Sequence, residues 1–214
     1  MKPRVIDHWQ AGPALAATVL AIALLCWATL PTQVVMDALR EFGPVESASV
    51  FFYLVAAAWA FVSIRRLPPG TGIAVGIVML ACAAREAQWH TDFTGTSMLR
   101  VSFYYGPASL QAKVVSLLAL LPFLWAMLHL VRRYVPSLPR RWRQLQPRAV
   151  TILTFLVVLV VSKAVDRSLA ILAEDFGLRG AMAWQSLQLS IEEPLELALP
   201  LLVILALAQP GAPD

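Results

Sequence analysis

The fold follows most directly from residues 190–208, SIEEPLELALPLLVILALA. The part 197–208 of this stretch is uncharged, whereas Glu192, Glu193 and Glu196 occupy its first third. A helix needs about 20 residues, at ~1.5 Å rise per residue, to cross the ~30 Å hydrocarbon core of a bilayer. Residues 197–208 are too few for that crossing, so a membrane helix here must draw its glutamates into the bilayer. Ionisable groups at that depth are costly and are a functional-site hypothesis by default.

The composition of the whole chain is that of a membrane protein. Its 214 residues are 59% hydrophobic and 14% charged, with a mean hydropathy of +0.69, whereas a soluble domain carries roughly 25% charged residues. Cys26 and Cys82 lie in apolar runs and match neither a disulfide framework nor a zinc motif. The net charge of +4 fits membrane topology and anionic headgroups better than nucleic acid. Membrane lipids are therefore the expected partners, and nucleic acid is not.

Six apolar segments predict an all-α bundle of six transmembrane helices in one domain, residues 1–214. Basic residues precede the first segment, follow the second (Arg65 and Arg66) and follow the fourth (residues 132–148). With six crossings they all fall on one side, which the positive-inside rule makes cytoplasmic, together with both termini. A bacterial inner membrane is the favoured location. The predicted spans are residues 13–30, 45–64, 70–89, 110–131, 149–172 and 190–208. Residues 32–44 are predicted as a loop. Residues 181–189 either lie in the interface or extend the sixth span.

Charged side chains from four predicted helices converge at one depth. Counted from the cytoplasmic ends at ~1.5 Å per residue, they lie about 18–27 Å into the membrane, in its outer third. Four helices that independently supply charge to one layer predict a shared polar site. The contributing residues are Glu46 on the second span, Arg85 and Glu86 on the third, Lys163 and Asp166 on the fifth, and Glu192, Glu193 and Glu196 on the sixth.

The spacing of these residues places them on common helix faces, because side chains three or four apart are neighbours. Lys163 shares a face with Asp166 and Arg167, and Glu86 shares one with His90. Acids outnumber bases in the layer, so either a divalent cation or protons held by buried carboxylates must compensate. The acids are Glu46, Glu86, Asp92, Asp166, Glu192, Glu193 and Glu196, and the bases are Arg85, Arg100, Lys113, Lys163 and Arg167.

One hypothesis for this layer is a metal site. Histidine and carboxylate ligands suit Zn, Mn, Fe or Ca. The alternative is an interhelical salt-bridge network without metal, in which His90 is an interfacial hydrogen-bonding group. On the metal hypothesis, the predicted ligands are Glu46, Glu86, His90, Asp92, Glu192 and Glu196, and the predicted acid/base residues are Glu86, His90, Asp166 and Glu193.

A substrate phosphate is the predicted partner of the basic side chains in the layer. The arginine fork matches phosphate geometry, and tyrosines near the outer interface would cover a lipid-entry groove. The alternatives are that the bases only neutralise adjacent acids and that the aromatic residues form an interfacial belt. The predicted substrate-binding residues are Arg85, Lys163, Arg167, Tyr104 and Tyr105.

Three functions are compatible with this pattern. The leading hypothesis is a metal-dependent hydrolase or transferase that acts on a lipid or lipid-linked substrate; no H-E-x-x-H, G-x-S-x-G or P-loop motif assigns a family. The second is a small proton- or ion-coupled transporter. A through-path is disfavoured because residues 150–161 offer only Thr151 and Thr154, and helix six below Glu196 offers no polar side chain. The third is an accessory or assembly subunit whose charges are structural.

Overall fold

A computed structural model describes residues 5–40, 42–89, 101–106, 109–176 and 182–210. Within these ranges the chain forms helices and short connections, with no strand, which confirms the all-α prediction. Short 3-10 helices, Val5–Asp7 and Ile64–Arg66, precede α1 and α4. The α-helices are α1 (Ala11–Thr29), α2 (Thr32–Leu39), α3 (Pro44–Val62), α4 (Thr71–Glu86), α5 (Val101–Tyr105), α6 (Leu110–Tyr134), α7 (Leu138–Arg143), α8 (Pro147–Phe176) and α9 (Met182–Ala208).

Four stretches of the described chain are long and apolar enough to cross a membrane. They are α1, the α2–α3 stretch Thr32–Val62, α6, and Pro147–Ser168 of α8, with mean hydropathies between 1.7 and 2.3. These stretches support a membrane-integral protein. Helix α4 has only 16 residues, and α9 carries three glutamates, so neither belongs to this set.

Two segments near the predicted spans are more helical than the sequence pattern indicates. The prediction of a loop at residues 32–44 is wrong for Thr32–Leu39, which form α2. Val35 and Leu39 lie four residues apart and are both buried, so this short helix is stabilised by packing one apolar face. Of the two alternatives for residues 181–189, helix extension holds for the described ones, because α9 already begins at Met182.

The chain divides into two compact units. The first comprises Met1–Phe52 and Leu138–Asp214, and the second comprises Tyr53–Ser137. The division falls within α3. That residues 1–214 form a single membrane domain stays a prediction.

In the first unit, α8 and α9 pack along each other, and α1 packs against both. The buried residues of α9 recur at helical spacing, as Leu195, Ala198, Leu199 and Leu202, so one apolar stripe faces the unit's interior. Close approach of α1 to α8 requires a glycine. A Cβ on Gly12 would lie 2.8 Å from Thr151 Oγ1 and 2.9 Å from Thr151 Cα.

Polar side chains fix the ends of this three-helix packing. Trp27 Nε1 donates to Ser186 Oγ at 3.1 Å, which joins α1 to the start of α9. At the other end of α9, Arg148 Nε donates to the carbonyl of Ala206 at 2.9 Å, and Gln209 Nε2 donates to the carbonyl of Ile6 at 3.0 Å. The last carbonyls of a helix lack intrahelical donors, and Arg148 supplies one.

In the second unit, small residues let helices approach closely. Ala56, Ala57 and Ala60 of α3 are almost completely buried. A Cβ on Gly72 at the start of α4 would lie 2.8 Å from the carbonyl oxygen of Ala60. Helix α4 also packs along α6. Such small-residue contacts are typical of helix packing in membranes, where backbones approach one another closely.

Candidate functional site

The site is built on an ion pair between α8 and α9. Lys163 Nζ lies 2.5 Å from Glu196 Oε1, and Glu196 is only 7% exposed. Ser162 Oγ donates to the same carboxylate oxygen at 3.3 Å. A carboxylate removed from water needs a cation and hydrogen-bond donors to offset its desolvation, and these two neighbours on α8 supply both.

Lys163 also reaches a second carboxylate on its own helix. Its Nζ lies 3.4 Å from Asp166 Oδ2, which confirms the prediction that these two residues share a face. Both side chains are partly exposed, at 36% for Lys163 and 41% for Asp166. The ammonium therefore lies between a buried carboxylate and a carboxylate open to the surroundings.

Gln188 holds α9 against α8 beside Asp166. Its Nε2 donates to the backbone carbonyls of Val165 at 3.1 Å and Asp166 at 3.0 Å. Gln188 precedes Glu192 by four residues, so the two lie on one face of α9. Together, Gln188 and the Lys163–Glu196 pair set the relative position of the two helices at the site.

Two more glutamates of α9 approach the same centre. The carboxyl of Glu192 is within hydrogen-bonding reach of Asp166 and lies near Lys163. Glu193 lies near Glu192 and Glu196. Both residues are half-buried. Asp166, Glu192 and Glu193 thus surround the ammonium that pairs with Glu196.

Helix α3 contributes a further carboxylate, Glu46, which lies close enough to Glu193 for their charges to repel. An oxygen of Glu46 accepts a hydrogen bond from the backbone N–H of Phe42, a residue with φ +58°. Glu46 therefore has a structural role as well, because it stabilises the turn that leads into α3. We use the name carboxylate cluster for Glu46, Asp166, Glu192, Glu193 and Glu196 with Lys163.

The other predicted site residues are distributed differently. Arg85 and Glu86 form the last turn of α4 in the second unit, so their membership of the cluster stays a prediction. Arg167, predicted to share a face with Lys163, has an exposed side chain. His90 and Asp92 lie outside the described residues, as does the base Arg100.

The predicted aromatic residues lie on α5 of the second unit. Tyr105 is 87% exposed. Tyr104 packs edge-to-face on the buried ring of Phe103, with ring centroids 5.2 Å apart. The Tyr104 hydroxyl is buried and has no hydrogen-bond partner among the described residues. Only Tyr105 therefore presents a large exposed aromatic surface here.

The predicted metal ligands lie on α3, α4 and α9 and, in part, outside the described residues. Among the described residues, no three His, Cys, Asp or Glu side chains are arranged to hold a metal ion. The predicted ligand set extends to His90 and Asp92, which lie outside those residues.

Two residues of this site were not predicted. Ser162 and Gln188 are uncharged, so a search for converging charges does not find them. The spacing of Gln188 and Glu192 on one face was the available signal.

Comparison of the sequence with protein-family models finds no match, and comparison with curated proteins and with solved structures finds none either.

Proposed function

We propose that the protein crosses the membrane six times, through α1, α3, α4, α6, α8 and α9, with both termini in the cytoplasm. Helix α4 reaches about 24 Å at ~1.5 Å per residue, so a short extension at either end completes a crossing. Helix α9 carries its carboxylates near its middle, with the uncharged residues 197–208 beyond them. Six crossings also bring Arg65, Arg66 and the basic residues 132–148 to one side.

We propose further that the carboxylate cluster is the active site of a membrane enzyme that acts on a lipid or lipid-linked substrate. One observation supports this above all: the Lys163–Glu196 pair stands among four more carboxyl groups drawn from three helices. An ion-pair network whose acids outnumber its bases needs a bound cation or bound protons to compensate the excess. Within the first unit, the carboxyl groups of the cluster outnumber its one ammonium.

A divalent cation would offset this excess. Lys163 already compensates Glu196, so the cation would draw together Asp166, Glu192 and Glu193 of the first unit, which are not arranged as a metal site without it. Zn, Mn, Fe or Ca suits such a donor set. A bound metal activates water and polarises the group under attack. The exposed guanidinium of Arg167 would orient the headgroup.

The excess of carboxyl groups also favours a second candidate, a proton- or ion-coupled transporter, because bound protons or ions can offset such an excess. A transporter needs a polar route onward through the membrane. In α8, the Thr154 hydroxyl donates to the carbonyl of Val150 at 2.9 Å, and Thr151 is fully buried against Gly12. Thr154 thus bonds within its own helix, and Thr151 Oγ1 has no hydrogen-bond partner among the described residues. Neither hydroxyl continues a polar route, so the enzyme is the better-supported proposal.

Elemental analysis of the purified, detergent-solubilised protein tests the proposal. Wild type is compared with Glu192→Gln/Glu193→Gln and with Asp37→Asn, a control that removes an exposed acid of α2. We expect near-stoichiometric Zn, Mn, Fe or Ca in the wild type and the control, and loss of the metal in the double variant. A metal-free wild type that remains folded and as stable as the double variant would contradict the metal-dependent enzyme and favour proton binding.

A further inference from the structure

The second unit contains a cavity unrelated to the predicted site. It has a volume of about 330 Å³ and lies beside the last turns of α6. Its lining residues recur at helical spacing and so form one face of α6. One end of this face is aromatic and aliphatic, and the other is basic. We call it the α6 cavity; its lining residues are Trp125, Leu128, His129, Arg132 and Arg133.

His129 lies in the middle of the α6 cavity. The imidazole of His129 stacks on the indole of Trp125, with ring centroids 5.6 Å apart and an angle of 28° between the rings. On another side it contacts Gly70, which has φ +78°, and a Cβ on Gly70 would lie 2.8 Å from His129 Cε1. The absence of a side chain at Gly70 thus makes room for the imidazole ring of His129. His129 Nε2 is a buried polar atom in the cavity wall without a hydrogen-bond partner among the described residues.

The two ends of the α6 cavity match the two parts of a phospholipid. Along the helix axis, Arg133 lies about 12 Å beyond Trp125 at ~1.5 Å per residue. Trp125 and Leu128 are 46% and 48% exposed, so they present an apolar wall to acyl chains. Arg132 follows one turn later, where a guanidinium fork can bind phosphate oxygens.

We propose that the α6 cavity binds an anionic phospholipid, with its phosphate at Arg132 and Arg133 and its glycerol and upper acyl chain along Leu128 and Trp125. Free phosphate shares the headgroup chemistry but leaves the apolar wall uncovered. Helix α6 is one of the four membrane-span candidates. With six crossings its basic end lies at the cytoplasmic surface, where negatively charged headgroups concentrate. This proposal therefore rests on the proposed six-crossing topology, but not on the function proposed for the carboxylate cluster.

Binding of the full chain to mixed micelles tests it. The micelles contain phosphatidylglycerol or phosphatidylcholine, and a third arm contains inorganic phosphate in phosphatidylcholine micelles. The test variant is Arg132→Gln/Arg133→Gln, and the control is Arg140→Gln/Arg143→Gln. The control removes the same charge from two exposed arginines that do not line the cavity. We expect phosphatidylglycerol affinity to fall about tenfold in the test variant and to stay near the wild-type value in the control.

Equal losses of affinity in the two variants would overturn the proposal, because they would indicate charge attraction without a site. Equal protection of the wild type against thermal unfolding by inorganic phosphate and by phosphatidylglycerol would overturn the lipid assignment. Where the glutamine pair fails to fold, Arg132→Lys/Arg133→Lys preserves the charge and removes the forks. We expect that pair to bind phosphatidylglycerol about threefold more weakly than the wild type, and unchanged affinity would overturn a built phosphate site.

Discussion

Lys163 Nζ lies 2.5 Å from Glu196 Oε1, and this contact joins α8 to α9 where the buried face of α9 meets the carboxylate cluster. Removing one partner of a fully buried ion pair costs about 3–5 kcal/mol, because the other charge is left uncompensated. Here the Lys163 side chain is 36% exposed and also faces Asp166. Water and a second carboxylate therefore absorb part of the loss.

We expect Glu196→Gln to lower the free energy of unfolding by about 1–2 kcal/mol, below the cost for a fully buried pair. The measurement is unfolding of the detergent-solubilised protein by increasing SDS. A cycle with Lys163→Met and the double variant isolates the pair, and we expect a coupling of at least about 0.5 kcal/mol. Strictly additive losses would show that the contact contributes nothing to stability.

Gln188 offers a second test of how α8 and α9 are held together. Its side-chain amide donates to the carbonyls of Val165 and Asp166. We expect Gln188→Leu to destabilise the protein by about 1 kcal/mol, since those carbonyls lie within α8 and also take part in its own hydrogen bonds. Gln185→Leu is the matched control, because Gln185 is exposed on the same helix.

The stability loss from Gln188→Leu should come with a change at the cluster. If Gln188 positions Asp166, metal content or proton uptake changes in this variant and stays at the wild-type level in Gln185→Leu. Equal effects of the two substitutions on both stability and binding would contradict a positioning role.

Gly12 allows α1 to pack closely on α8. A Cβ there meets both the hydroxyl and the backbone of Thr151, so a change of side-chain rotamer alone cannot relieve the contact. We expect Gly12→Ala to destabilise the protein by about 1–3 kcal/mol through overpacking. Ala17→Ser, at an exposed position of α1, should change stability by less than about 0.5 kcal/mol. Thermal unfolding of both variants checks this, and a neutral Gly12→Ala would show that α1 moves without cost.

The carboxylate cluster was largely predictable because charge inside a hydrophobic chain is rare. Glu192, Glu193 and Glu196 interrupt an apolar run, and Lys163 with Asp166 interrupts another, so counting residues along each helix places them at one depth. Helix spacing then predicts that Lys163 and Asp166 pair on one face, as observed. Which glutamate of α9 pairs with the ammonium group of Lys163 depends on the rotation and packing of the helices. Residue spacing alone does not determine these.

Other features escape a sequence argument for physical reasons. Helix α2 is only eight residues long, and a helix of that length is unstable alone; burial of Val35 and Leu39 stabilises it. Ser162 and Gln188 carry no charge, and their role arises from hydrogen bonds to partners 34 and 22–23 residues away. The start of α9 is joined to α1 through Ser186, which accepts a hydrogen bond from Trp27, 159 residues away, whereas the weakly amphipathic pattern of residues 181–189 left two alternatives.

The number of membrane crossings can be decided by labelling. Two single-cysteine variants, Leu110→Cys and Val135→Cys, are made after replacement of Cys26 and Cys82 by alanine. Leu110 is 77% exposed and Val135 is 52% exposed. They lie at the two ends of α6. Intact cells or oriented vesicles are treated with a membrane-impermeant maleimide, with permeabilised samples as the control for reactivity.

Six crossings and four crossings predict opposite outcomes at these two positions. If α4 crosses the membrane, residue 110 lies outside and residue 135 lies on the cytoplasmic side, so only Leu110→Cys is labelled in intact cells. If only α1, α3, α6 and α8 cross, the two positions exchange sides, and the basic residues 132–148 face outward against the positive-inside rule. Labelling of Val135→Cys alone would therefore reject six crossings, and with them the placement of the carboxylate cluster in the outer third of the bilayer.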